Sequence, residues 1–129
     1  MTIKISTENI EISVRASYLS EHSIPRENHF FFVYFITIEN KGNYAVQLLS
    51  RHWDIFDSNG EKREVDGEGV IGETPVIEPG ETYEYNSGCN LLTDMGYMKG
   101  YYNMKRLMDD ALFKAVIPQF DLVVPAKLN

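Results

Sequence analysis

The chain has 129 residues, the length of one domain with room for a core of its own. Apolar residues make up 43% and charged residues 24%, which excludes a disordered chain, and the longest apolar run, Phe30 to Ile36, is too short to span a membrane. The formal charge of −7 is concentrated in one place: ten acids lie between Asp54 and Glu84 against Lys62 and Arg63 alone. Binding to nucleic acid or to an anionic membrane needs clustered Lys and Arg, and the chain has no such run.

Cys89 is the lone cysteine, so no internal disulfide can form. That usage, and the polar Thr2, Lys4 and Ser6 after Met1, lead us to expect a cytoplasmic protein without a leader, with residues 1–129 as a single domain. Val, Ile, Phe, Tyr, Trp and Thr together number 42 against 14 for Ala and Leu. β-Branched and aromatic side chains suit a pleated, half-buried surface and lose rotamer freedom in a helix, so the chain reads as mostly β.

In chain order, Ile10 to Arg15 alternates apolar and polar for six positions, as a half-buried strand does. Ser20 to Asn28 is a polar connection around Pro25. His29 to Glu39 is a long strand, followed by a turn at Lys41-Gly42-Asn43 and a strand from Val46 to Phe56. Strict alternation there puts Leu49, Arg51, Trp53 and Ile55 on one side and Leu48, Ser50, His52 and Asp54 on the other. Asp57-Ser58-Asn59-Gly60 predicts a type I′ hairpin through Asn-Gly, leading into a short polar strand, Glu61 to Val65. Glu78-Pro79-Gly80-Glu81 predicts a type II turn. Strands then follow at Thr82–Cys89, Tyr97–Met104 and about Phe113–Val124, with Pro118 at a bulge or edge. Met104, Leu107, Met108, Ala111, Leu112 and Ala115 fall at helical spacing, but Tyr101-Tyr102 before and Val116-Ile117 after are strand-like, which predicts a strand pair joined through a short helical turn around Leu107–Ala111. Several strands with frequent turn signals predict a sandwich or barrel.

Few residues suggest chemistry. Gly67-Glu68-Gly69-Val70-Ile71-Gly72 matches a phosphate-cradling pattern, but no helix follows to attract an anion, and Asp66, Glu68 and Glu73 would repel one. We read it as a tight turn, with Gly67, Gly69 and Gly72 kept as phosphate-loop candidates and no nucleotide binding expected tighter than about 1 mM without metal. Cys89 could act as a nucleophile only beside a base such as His22, His29 or His52, and a buried inert thiol is the simpler reading. The spacing of the histidines matches no compact metal site, and no cofactor is expected beyond weak divalent-cation binding by the acidic stretch.

Two stretches suggest contact with a partner. Ser50-Arg51-His52-Trp53 places Arg and Trp, the residue types that dominate interfaces, on one face, though a core Trp beside an Arg stem is the alternative. In Phe30–Ile36 both faces are apolar: Phe30, Phe32, Tyr34 and Ile36 share one, and Phe31, Val33 and Phe35 the other. A two-sheet sandwich buries one face of each sheet, so the outward set is either covered by a loop or left for association, with another protein or a second copy.

The ordered segments Ile36-Thr37-Ile38-Glu39-Asn40, Val46-Gln47-Leu48-Leu49-Ser50-Arg51-His52-Trp53, Gly67 to Val76, Pro79-Gly80-Glu81, Ser87-Gly88-Cys89 and Met98-Lys99-Gly100 resemble the ApaG family over about residues 8 to 122. The resemblance implies an all-β, fibronectin type III-like sandwich of seven to eight antiparallel strands. It further implies a bacterial cytoplasmic protein without established enzymatic activity, associated with cobalt resistance and magnesium efflux, that recognises another protein. The alternative is a weak metal- or nucleotide-pyrophosphate-binding protein using the Gly67–Gly72 loop. Family members commonly carry an Asp/Gly-rich hairpin turn where this chain has Leu107 to Ala111.

Overall fold

The computed structural model describes residues 1–125. Nine strands are present among them: β1 (Ile3–Thr7), β2 (Ile10–Tyr18), β3 (Phe30–Asn40), β4 (Val46–Asp57), β5 (Lys62–Glu68), β6 (Val76–Ile77), β7 (Thr82–Leu91), β8 (Met95–Arg106) and β9 (Ala111–Val123). All pairings are antiparallel, in two sheets of order β1-β2-β3-β7 and β5-β4-β8-β9, with β6 attached to β4. Strands β2-β3-β7 against β5-β4-β8-β9 make the fibronectin type III-like sandwich that the resemblance implied, with β1 added at one edge. The count exceeds seven to eight by β1, whose Ile3-Lys4-Ile5-Ser6 alternation is brief, and by β6, which is two residues long.

The core follows from the pleat. Ile10, Ile12 and Val14 of β2 and Phe32, Tyr34, Ile36 and Ile38 of β3 point inward, against Leu48, Trp53 and Ile55 of β4, Met98, Tyr102 and Met104 of β8 and Ile117, Phe120 and Leu122 of β9. Trp53 packs edge-on against Tyr34 at 5.2 Å and Phe120 at 5.9 Å between ring centroids, so one aromatic cluster joins the two sheets. Asn40 is the buried polar residue of this core, 1% exposed, and its amide is fully used: Nδ2 donates to the carbonyls of Tyr44 and Ile77, and Oδ1 accepts from the Gly42 N–H.

Three local expectations are corrected. The strand pair around residues 107–110 forms as expected, but those residues make no helix; they are the four-residue turn of the β8–β9 hairpin, closed by the Arg106–Ala111 pair. Asp110 takes the left-handed conformation (φ +58°), and Asp109 accepts from the Ala111 N–H and pairs with the Arg106 guanidinium. The helical spacing was a coincidence of two strand ends: Met104 and Ala115 are buried on adjacent strands, whereas Met108 and Leu112 are exposed. In β4, a bulge between Leu48 and Ser50 shifts the register, so Leu48 turns inward with Trp53 rather than outward with His52. At the β4–β5 turn only Gly60 has positive φ (+91°), and its N–H donates to the Asp57 carbonyl, so this is a type I turn followed by a left-handed glycine instead of type I′.

Candidate functional site

After β5 the chain makes a second, tighter hairpin. Val70 and Glu73 exchange N–H···O bonds at 2.8 and 2.9 Å, and the two residues between them, Ile71 and Gly72, have φ of +47° and +73°. That sign pattern is a type I′ turn, for which Asn-Gly is the favoured pair. Here a β-branched residue holds the first left-handed position, and it is 60% exposed. No packing inside the described chain accounts for an isoleucine at that position.

The turn is locked from below. The Gly69 N–H donates to the Leu49 carbonyl at 2.8 Å. The Arg51 guanidinium donates to the carbonyls of Glu68 (3.1 Å) and Gly69 (2.8 Å). Arg51 can lie there because its direct neighbour across the ladder is Gly67: a Cβ at Gly67 would sit 2.6 Å from the guanidinium carbon. Gly69, at φ +59°, lies so close to the Glu73 carbonyl that a Cβ would come within 2.0 Å of its oxygen. The glycine pattern is therefore a clamped turn in which the N–H groups of Gly69, Val70 and Glu73 are engaged with protein carbonyls.

A second cluster lies on the outer face of β5-β4-β8-β9. Alternation past the bulge points His52 and Asp54 outward, and the register sets His52 opposite Asp66 and Asp54 opposite Glu64. His52 Nδ1 is 2.7 Å from Asp66 and Nε2 is 3.2 Å from Asp54. The ring stacks on Tyr101 at 5.0 Å, and Lys114 of β9 places its ammonium 4.4 Å from the same Tyr101 ring. The hydrogen bond to Asp66, reinforced by Asp54, raises the His52 pKa above the ordinary histidine value. One donor atom each from His52, Asp54 and Glu64 lies within 4.8 Å of the others, which makes the trio able to hold a metal ion.

The remaining candidates are scattered. Trp53 is 2% exposed and Arg51 faces inward beneath the turn, so neither forms a surface with His52; strand alternation sends them to opposite sides of the sheet. Phe31, Val33 and Phe35 are the outward set of β3, on the other sheet, and are half-buried. The connection before β3 partly covers Phe31, whose N–H donates to Ser23 and whose ring lies 6.0 Å from His22, and the Arg15 guanidinium sits 4.2 Å over the Phe35 ring. Cys89 is buried, and that burial pushes its thiol pKa up, away from nucleophilic use at neutral pH. Ile71 was missed because a β-branched residue does not announce a positive φ.

The sequence and the fold both match known proteins. The ApaG domain family model matches residues 20–106. The chain is 48% identical over 119 residues to Protein ApaG of Brucella canis, covering 92% of this chain and 91% of that one. It is 48% identical over 123 residues to Protein ApaG of Anaeromyxobacter dehalogenans, covering 95% and 96%. A crystal structure described as an ApaA protein from Bordetella pertussis superposes with a TM-score of 0.87 at 37% identity, covering 95% of this chain and 98% of that one.

Proposed function

Because the chain belongs to the ApaG domain family, we propose that it is a non-catalytic binding module that acts in divalent-cation homeostasis by docking another protein through the Ile71 turn. The observation that supports this reading is the turn itself. A left-handed isoleucine costs about 1–2 kcal/mol, and Asn at the same place would avoid that cost. The chain keeps Ile71 exposed, on a hairpin that Arg51 and Gly69 hold rigid, where it gains nothing from its own core. Strain held at an exposed, pre-organised position is a signature of recognition surfaces. The surrounding acids set the partner's chemistry: Glu68 and Glu73 flank the turn within the stretch that carries the chain's negative charge, so the complementary surface is an apolar socket rimmed by Lys and Arg. The tie to cobalt and magnesium handling rests on the family resemblance. The pyrophosphate alternative has less support, since three N–H groups a phosphate would need already serve the turn.

The test is Ile71→Asn in an affinity capture from the native host. The variant is expected to fold, to be slightly more stable, and to lose the proteins that the parent chain retains at low salt and releases at high salt. Capture of the same proteins by Ile71→Asn would overturn the reading.

A further inference from the structure

We propose that His52, Asp54 and Glu64 form a binding site for a late first-row divalent transition metal on the outer face of the β5-β4-β8-β9 sheet. The site would give the cation-homeostasis reading a chemical point of contact, and it is tested independently of any partner.

The donors come from two adjacent strands with fixed register. His52 and Asp54 project from the same face of β4, two residues apart, and Glu64 stands opposite Asp54 on β5. One imidazole and two carboxylates suit Zn²⁺, Co²⁺ or Ni²⁺, whereas Mg²⁺ prefers oxygen donors alone. Around such an ion, donors lie about 2.1 Å from the metal and so roughly 3–4 Å from one another. Their present separation, within 4.8 Å, closes to that by side-chain rotation, and Glu64 is exposed on an edge strand where its rotamer is free to change.

The second observation is the orientation of the ring. Asp66 accepts from Nδ1 at 2.7 Å, and the ring is stacked on Tyr101, so the imidazole is held from two directions with Nε2 directed at Asp54. A carboxylate on the distal nitrogen is how metal-bound histidines are commonly fixed and made more basic. Only 14% of the His52 side chain is exposed, unlike a histidine left free at the surface. Asp54 also borders an open cavity of about 390 Å³ that runs along Tyr101 to Val116 and Gln119, so the donor set has an approach from solvent.

On loading, the metal takes the Nε2 lone pair and one oxygen from each of the Asp54 and Glu64 carboxylates, and any proton held on Nε2 passes to solvent. Asp66 keeps its hydrogen bond to Nδ1 and acts as a positioning residue.

Titration of the whole chain with Co²⁺ at pH 7.5, followed by calorimetry and by NMR of the three histidines, tests this. One equivalent is expected to bind with a Kd on the order of 10 μM and to broaden His52 ahead of His22 and His29. His52→Gln and Asp54→Asn are each expected to weaken binding at least tenfold. Asp66→Asn should weaken it a fewfold, and Asp121→Asn, on the same face outside the cluster, should leave it unchanged. A non-saturating titration, equal broadening of all three histidines, or unchanged affinity in His52→Gln and Asp54→Asn would overturn the site and leave only diffuse attraction to the acidic stretch. Neither set of outcomes depends on whether Ile71 docks a partner.

Discussion

Arg51 and Gly67 claim the same volume: they are paired across β4 and β5, and the guanidinium lies where any larger side chain at position 67 would begin. The missing side chain lets an arginine of the inward face pass under the sheet edge and grip the next turn by its carbonyls.

A graded response to alanine follows at the three glycines. Gly69→Ala meets backbone at 2.0 Å and a left-handed φ together, so it is expected to be the most damaging, by more than about 3 kcal/mol. Gly72→Ala has open space and only the φ of +73° to oppose it, which costs about 1–2 kcal/mol. Gly67→Ala displaces the mobile end of Arg51 and forfeits its two carbonyl contacts, about 1–2 kcal/mol. Urea denaturation of the three variants reads the order; Gly69→Ala as the mildest would refute the clamped turn.

The two faces of β3 separate cleanly. Phe32→Asp buries an unpaired carboxylate in the core and is expected to unfold the domain, with a loss above about 4 kcal/mol. Phe31→Asp acts on the outer face and should leave a folded protein with a lowered melting temperature, because it loses the contact with His22 and packing over Gly88. Circular dichroism distinguishes the two, and sedimentation of Phe31→Asp shows whether that face also supports association of copies.

His52 makes stability depend on pH. Its surroundings are Asp66 and Asp54 on its nitrogens, Glu64 within reach, and Tyr101 beneath it with Lys114 beyond. The folded pKa is raised, so the charged ring stabilises the fold fully below the unfolded value near 6.5, and this contribution disappears as pH rises through the folded value. Its size is that of a solvent-screened pair, about 0.5 kcal/mol. The stability gap between the parent and His52→Gln should be larger at pH 6 than at pH 9; a gap that widens toward alkaline pH would contradict the assignment.

The strands were legible because β2 alternates and β3 and β4 are long runs rich in β-branched and aromatic residues, and the Pro79-Gly80 turn was legible because each residue presets its own φ: Gly80 takes +83° and the Glu81 N–H reaches the Glu78 carbonyl. The His52 cluster was not, and the reason lies in one turn. A two-residue Asn59-Gly60 loop would pair Ser58 with Glu61 and set Gly67 opposite His52. The observed loop pairs Phe56 with Lys62 and brings Asp66 there instead. A slip of one residue exchanges the faces of β5, so the identity of the cluster depended on the left-handed Gly60 following a type I turn. The Leu48 misplacement has the same character, since a bulge leaves no mark in an apolar run.

Cys89 bears on how the molecule breathes. It lies on the inward side of the edge strand β7, where Arg63 reaches over from β5 to its sulfur and to the Asn90 carbonyl, bridging the two sheets at their open side. An alkylating reagent in solvent can react with it only after that flap lifts, so the labelling rate counts excursions of a single border of the sandwich. Fluorescence of Trp53, deep between the sheets, counts the loss of the whole. The ratio of the two frequencies measures how independently the border opens, in a chain that carries both reporters natively.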